Sequence, residues 1–383
     1  MERQLRVLFL TLGYEPGPVG GAERQARLQA ESLAQRGHIV EVVTPRAPGT
    51  RSGPISGVAI HRLPRVQGRY LRTITYLPLL AIWLLRHGRR FDIFHIHLAN
   101  LQADVAAIAG KILRVPRYVK IATGGAKGEI FRMRRVSWAT RYVGIRSAAR
   151  VQVMSDEIAQ DVAALDVPAA RVIRVPNGLD TSVFRVADAV ERSALRRSLN
   201  LPTQDVLVLY VGRFARYKGI LDLLEAWRSV DETMGATLVV VGEPALDAPA
   251  GPLPDTRRTI IRGWTPRVFD YYRACDIYAH PSHADGMPNV VLEAMASGMA
   301  VVATKVAAVP SMITDGLTGV LVDIGATDQL ASALIGLIQD GPRRTAIADA
   351  GAKHVAATYP IEHIVDQIER AYLAILRSPI PAN

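Results

Sequence analysis

The sequence predicts an α/β protein made of two Rossmann-like, doubly wound domains that face one cleft. Three observations carry this expectation. Short β-rich apolar runs alternate with helical patterns along most of the chain, the mark of parallel sheets covered by helices on both faces. The alternation breaks once, over residues 185–204, which are charged and helical and hold no strand, before a second βα series opens. The 383 residues, 49% hydrophobic and 21% charged, exceed one ordinary core and suit two domains of ~100–200 residues each.

In the first series, Leu5 to Leu10 is a strand, and the loop Gly13 to Gly21 leads into a helix over Ala22 to Gln35, stopped by Gly37. Gly20 and Gly21 stand at that helix N-terminus, where backbone N–H groups suit an anion, although many βα turns use a double glycine. Ile39 to Thr44 is the second strand. The stretch RAPGTRSGPISG (46–57) reads as a loop without regular structure, and Val58 to Leu63 as a further strand. Tyr76 to Leu85 is a very apolar helix flanked by Arg69, Arg72, Arg86, Arg89 and Arg90. It is either a buried helix or a contact with a membrane surface, since about ten apolar residues are too few for a bilayer that needs ~20.

FDIFHIHL (91–98) is a strand carrying His95 and His97, Leu101 to Leu113 a helix, and Tyr118 to Ala122 a strand that ends at Thr123-Gly124-Gly125. Residues 131–150 are basic, with Trp138 and Tyr142 interleaved, and read either as a solvated helix face or as a phosphate or headgroup surface. Val151 to Met154 and Val172 to Val175 complete the series. The second series runs through Asp205 to Val211, Leu238 to Gly242, Thr259 to Gly263, Ile277 to Ala279, Ala300 to Ala303 and Val320 to Val322. The junction therefore falls near residues 177–200.

Charge is unevenly spread. Residues 1–150 hold 25 Lys and Arg against 8 Asp and Glu, a surplus of +17, while the whole chain is +11. The first domain thus points to an anionic partner, which a membrane surface, a nucleic acid or a phosphorylated substrate would each satisfy; an Arg-rich composition without function is the plain alternative. No nucleic-acid motif or aromatic stacking platform is present, so nucleic acid is not expected. The single cysteine, Cys275, excludes an intramolecular disulfide and a Cys-based zinc site and suits a reducing compartment. The N-terminal apolar run reads as a first strand, not a signal peptide, so a cytoplasmic protein is expected, at most peripheral on the inner face of a membrane.

The residues suited to chemistry cluster in the second series. HPSHADGMPNVVLEAMASGMAVVAT (280–304) reads as strand, loop, helix, Gly298 stop, strand, with Asp285 in the loop and Glu293 in the helix. Asp285 alone fits a turn before Gly286. Glu293 sits among Val290, Val291, Leu292, Ala294 and Met295, where a carboxylate is costly unless something such as a pair of ligand hydroxyls accepts it. Upstream, DVLVLYVGRFARYKGI (205–220) is a buried strand ending at Gly212-Arg213, followed by a helix starting near Lys218-Gly219. Arg213 and Lys218, around a loop at a helix N-terminus, suit a pair of phosphates. Neither a G-x-G-x-x-G fingerprint nor a P-loop is present, which argues against a dinucleotide oxidoreductase.

Five motifs in order, GGAER (20–24), PNGLDTSVF (176–184), VGRFARYKG (211–219), DGMPNVVLEAMASG (285–298) and DGLTG (315–319), resemble the retaining group 1 glycosyltransferases of GT-B architecture. The resemblance spans nearly the whole chain. It implies a nucleotide-diphosphate sugar donor, UDP- or GDP-linked, a glycan or lipid-linked acceptor, and neither bound metal nor cofactor. It also implies a first domain of 1–178 that seats the acceptor and is joined by a returning C-terminal helix (361–383), and a donor domain of 179–360. Matched to the motifs, Arg213 and Lys218 bind the donor diphosphate and stabilise the leaving group, and Glu293 takes the ribose hydroxyls. Asp285 stands where the family has Glu, facing the donor sugar. Gly212, Gly286, Met287, Asn289 and Val290 lie near the phosphates, over which Gly20 and Gly21 close from the first domain.

Three departures are visible. Asp285 is one methylene shorter than the family's Glu. KIATGGAKGEI (120–130) lacks the His many members carry near the sugar, with Thr123, Gly124 or Gly125 in its place, and His95 and His97 read as core residues. Ala307-Ala308 replaces a frequent Gly-Gly, which removes flexibility there. These departures keep open an alternative, a degenerate relative that binds a sugar nucleotide without transferring the sugar.

Overall fold

The structure, a computed structural model, describes residues 3–16, 20–66, 71–125, 128–133, 142–230, 234–244 and 257–377, with residues 71–74 described by backbone alone. Arg69, Trp138 and the tail 378–383, singled out above, lie outside the described residues. The chain divides into two compact units, Met1–Gly178 with Ile361–Asn383, and Leu179–Pro360.

The first unit runs β1 (Arg6–Leu10), α1 (Gly21–Gln35), β2 (Ile39–Pro45), β3 (Gly53–Ile55), β4 (Val58–Leu63), α2 (Leu71–His87), β5 (Ile93–His97), α3 (Leu101–Leu113), β6 (Arg117–Lys120), α4 (Glu129–Met133), α5 (Val143–Arg146), β7 (Arg150–Val153), α6 (Asp156–Ala163) and β8 (Val172–Arg174). The strands form one sheet in the order β3-β4-β2-β1-β5-β6-β7-β8, parallel except at β3. Strands such as β1 and β5 are buried along their length, as an apolar run covered on both faces requires. Local chemistry sets the helix starts: Asn100 caps α3 by accepting the Gln102 N–H at 3.0 Å, and Ser155 caps α6 by accepting that of Ile158 at 3.2 Å.

One expectation fails here. The stretch 46–57 is not without structure, because β3 pairs antiparallel with β4 through Ser56-Gly57, both at positive φ, a tight hairpin turn. Its Gly and Pro residues read as breakers, although Gly57 belongs to the hairpin turn itself.

The second unit opens with α7 (Ala189–Ser198) and β9 (Val206–Val211), then α8 (Ile220–Trp227), β10 (Ala236–Val241), β11 (Thr259–Arg262), α9 (Val268–Ala274), β12 (Ile277–His280), α10 (Asn289–Ala296), β13 (Ala300–Thr304), α11 (Val309–Met312), β14 (Val320–Val322), α12 (Thr327–Gln339) and α13 (Gly341–Thr358). Its six strands are all parallel, ordered β11-β10-β9-β12-β13-β14. Counted within the unit this is 3-2-1-4-5-6, the dinucleotide-fold order, which reverses between β9 and β12. The charged α7 is pinned by Asp276, which accepts from Arg196 at 2.7 Å, Arg192 at 3.0 Å and the Leu207 N–H at 2.8 Å.

The last helix, α14 (Ile361–Arg377), packs in the first unit. Ile361, Ile364, Val365, Ile368, Tyr372 and Ile375 recur at helical spacing and share a core with Val7, Phe9, Leu33 and Val42. Full burial of each contributes up to ~1.5–3 kcal/mol before entropy is counted, which holds the helix against the sheet. Its start passes so close to Gly178 that a Cβ there would lie 2.7 Å from Ile361 Cδ1 and 3.0 Å from its Cα. Gln25 clamps the same glycine, donating to its carbonyl at 2.7 Å and accepting its N–H at 3.0 Å.

Candidate active site

Because β9 and β12 are neighbours at the reversal of the second sheet, the loops leaving their carboxyl ends diverge, and open α/β sheets bind ligands at such a point. The first loop runs from Gly212 through a single 3-10 turn, Arg216–Lys218, to Gly219. Two buried tyrosines hold its base: the Tyr210 hydroxyl donates to the Arg213 carbonyl at 3.1 Å and that of Tyr278 to the Val211 carbonyl at 3.3 Å. Gly219 has φ 68, and a Cβ there would fall 1.9 Å from the Pro281 carbonyl oxygen, so only glycine lets the two loops meet. The Tyr217 carbonyl completes the join by accepting the His283 N–H at 2.8 Å and the Ser282 hydroxyl at 3.3 Å. Arg213 is exposed, and its guanidinium donates to the Tyr217 hydroxyl at 2.9 Å.

The second loop carries Asp285. Its Oδ2 accepts from Lys218 Nζ at 2.6 Å and lies 3.5 Å from His280 Nε2, while Oδ1 accepts the Gly286 N–H at 3.0 Å. Burial alone would raise this carboxyl, but the His280 ring and the Lys218 charge outweigh it and hold Asp285 well below the usual carboxylate range. Burial also lowers His280, against the opposing pull of Asp285, so the ring is neutral near pH 7. Held so low, the carboxyl stays ionised beside the Lys218 ammonium. It is a fixed negative charge that positions Lys218.

Glu293 lies on the buried side of α10 with Val291, Leu292 and Met295. Burial raises the Tyr278 hydroxyl most, and the charges of Tyr210, Glu293 and Asp285 raise it further, so both carboxylates lie within electrostatic reach of one ring. Pro288 precedes α10 without a side-chain cap, and Asn289 and Val290 form its first turn beside buried Met287. The Gly286 carbonyl accepts the Ala308 N–H at 3.1 Å. Ala307, where glycine is frequent in the family, adopts φ 47; the left-handed conformation persists although the freedom of glycine is gone.

The second unit thus gathers Gly212, Arg213, Lys218, Asp285, Gly286, Met287, Asn289, Val290 and Glu293 on the two loops and on α10. Gly20 and Gly21 belong to the first unit, exposed at the start of α1, where the Gly20 N–H is already donated to Glu23 at 2.9 Å. His95 and His97 are core residues. Burial pushes both well down; His95 Nδ1 meets the Tyr372 hydroxyl and His97 Nε2 lies 3.1 Å from Gln29 Oε1. Where the family's His is missing, buried Glu129 accepts the N–H groups of Ala99 at 2.6 Å, Ala122 at 2.8 Å and Thr123 at 3.1 Å.

Sequence reasoning did not single out His280, Tyr210, Tyr217 or Tyr278 for roles at the site. A tyrosine inside a buried strand is a usable signal, because its hydroxyl must find a partner, but a partner on a neighbouring strand cannot be read along the chain.

Two family models match: residues 20–178 fit the glycosyl transferase 4-like domain and residues 205–340 the glycosyl transferases group 1. A D-inositol 3-phosphate glycosyltransferase of Segniliparus rotundus is 28% identical, over 97% of this chain and 90% of that protein. One from Mycobacterium tuberculosis is 32% identical over 60% of this chain, a match that spans 49% of that protein. The crystal structure of Anabaena HepE in complex with UDP and glucose superposes with a TM-score of 0.79 at 20% identity, covering 97% of this chain and 100% of that one. Two parallel-sheet units, the motif order and the two matching models agree: the chain belongs to the group 1 glycosyltransferases and has the GT-B fold.

Proposed function

We propose that this group 1 glycosyltransferase is retaining and metal-independent, and moves a sugar from a UDP- or GDP-linked donor to a glycan or lipid-linked acceptor in cell-surface polysaccharide or glycolipid synthesis, at the cytoplasmic face of a membrane. The observation that carries this reading is the 2.6 Å Lys218–Asp285 pair at the reversal of the second sheet, with Arg213 exposed on the same loop. A donor diphosphate there meets two cations. As the bond from the sugar C1 to the phosphate oxygen breaks, negative charge grows on that oxygen, and Arg213 and Lys218 stabilise it in the way a metal would. The acceptor hydroxyl oxygen bonds to C1 on the face the phosphate leaves, and its proton passes to the leaving oxygen, so configuration is kept without a protein nucleophile. Asp285 faces the sugar, and Glu293 accepts the ribose hydroxyls. Backbone at Gly212, Gly286, Met287, Asn289 and Val290 surrounds the phosphates, and at Gly20-Gly21 an anion would take the place that the Glu23 carboxylate holds on the Gly20 N–H.

The basic first unit suits an anionic acceptor, and the name of the curated relatives makes an inositol phosphate the first soluble acceptor to try. A thermal-shift screen across UDP-, GDP-, ADP- and TDP-sugars, followed by proton NMR of the product anomer, tests the reading. One nucleotide class should raise the unfolding midpoint, and the product should keep the donor's anomeric configuration. An inverted product would contradict retention, and no shift with any donor would contradict donor binding. Binding without turnover on any acceptor would support the second reading, a sugar-nucleotide binder, which the shorter Asp285 favours.

A further inference from the structure

We propose that the outer face of α2 and α3 is a docking surface for an anionic lipid membrane. This deepens the membrane placement of the proposed function and is independent of its donor and acceptor. The parallel strands β4, β5 and β6 succeed one another in one direction along the first sheet, so right-handed crossovers put α2 and α3 on the same sheet face, where they pack side by side. Tyr76, Leu80 and Leu84 of α2 and Ala103, Ala106 and Ala107 of α3 fill the core beneath.

A helix covering a sheet ordinarily turns polar side chains to water, and these two do not. Leu79, Ile82 and Leu85 form an outward stripe on α2, and Ile108 and Ile112 form one on α3, each 38–59% exposed. Because the two helices pack side by side, both stripes lie on one outward face.

Charge identifies the occupant. α2 contains no acidic residue, and the one acid of α3, Asp104, is buried and accepts the Gly144 N–H at 2.8 Å. Both helices run against the parallel strands, so their C-termini share one rim of that face. There Arg86, Arg89, Lys111 and Arg114 are exposed, with no ion pair among the described residues. A second copy docked face to face would set these cations against the same cations with no carboxylate to receive them. A membrane of anionic lipid receives both parts, the aliphatic stripe at the acyl boundary and the rim of cations among headgroup phosphates. No described helix is long and apolar enough to cross a membrane, so the surface would rest on it.

The test is co-sedimentation of the full chain with phosphatidylcholine vesicles, with and without phosphatidylglycerol. Binding should require phosphatidylglycerol and weaken with salt. Ile108→Ser/Ile112→Ser should lower vesicle affinity by roughly tenfold or more while leaving the unfolding midpoint unchanged. Arg86→Glu/Arg89→Glu should remove the phosphatidylglycerol dependence. Wild-type chain that ignores phosphatidylglycerol, or binding that survives both double substitutions, would overturn the proposal. So would a concentration-dependent dimer that Ile108→Ser/Ile112→Ser dissociates, since a second copy would then cover the face.

Discussion

Ala307 holds φ 47, a conformation in which the Cβ of any L residue crowds the backbone at a cost of ~1–2 kcal/mol. The loop keeps it because the next residue, Ala308, donates to the Gly286 carbonyl beside Asp285. Ala307→Gly should therefore relieve strain, less the larger entropy glycine loses on folding, and stabilise the chain by about 0.5–1 kcal/mol. Thermal unfolding checks this; a lowered midpoint would mean that the methyl group contributes more by packing than it costs in strain. The replaced Gly-Gly was visible in the sequence, but the retained left-handed backbone was not, because sequence shows which residue departs and not whether the fold yields. Asp285 is a parallel case. Its shortness is legible in a single letter, whereas its engagement by Lys218 and His280 depends on two strands that meet only in the sheet.

At the scale of elements, β6 carries a group that periodicity cannot explain. Lys120 is buried, its Nζ 2.7 Å from Asn177 Oδ1, and burial pushes the amine down from 10.5 to about 7, partly offset by Glu129. Because the folded chain binds this proton less readily than the unfolded chain, the contribution of Lys120 to stability rises with pH from about 7 towards 10.5 and is least below 7. Lys120→Met should lack that slope and be the more stable protein at pH 7, by roughly 1–4 kcal/mol. Urea unfolding of both proteins from pH 7 to 9 measures it; parallel curves would show that the lysine is charged in the fold at every pH tested. Most strands and helices were legible because their periods of two and 3.6 run along the chain. The β3 hairpin was not, since Gly and Pro obscure a three-residue strand. Nor was the polar face of Lys120, His95, His97 and Gln152, whose partners come from α1, α14 and residues 175–178.

Over the whole molecule, both sheets reverse their order once, and the second places the loops of Arg213, Lys218 and Asp285 at that reversal. The motif order was legible from five short stretches, each weak alone, because loops at strand ends keep their sequence order even though the sheet reorders the strands. The exposed apolar stripes were half legible: α2 reads as apolar with flanking Arg, but Ile108 and Ile112 look like any core residues until α3 is placed on the sheet. The central claim is that Arg213 and Lys218 carry the charge of the departing diphosphate. Its most direct measurement is kcat for donor-sugar transfer in wild type, Arg213→Ala and Lys218→Ala, each with its unfolding midpoint. Arg213 is exposed, so its loss should leave folding intact and lower kcat by about 10²–10³-fold, with Lys218→Ala at least as severe. Two variants that fold and transfer sugar at the wild-type rate would contradict the account.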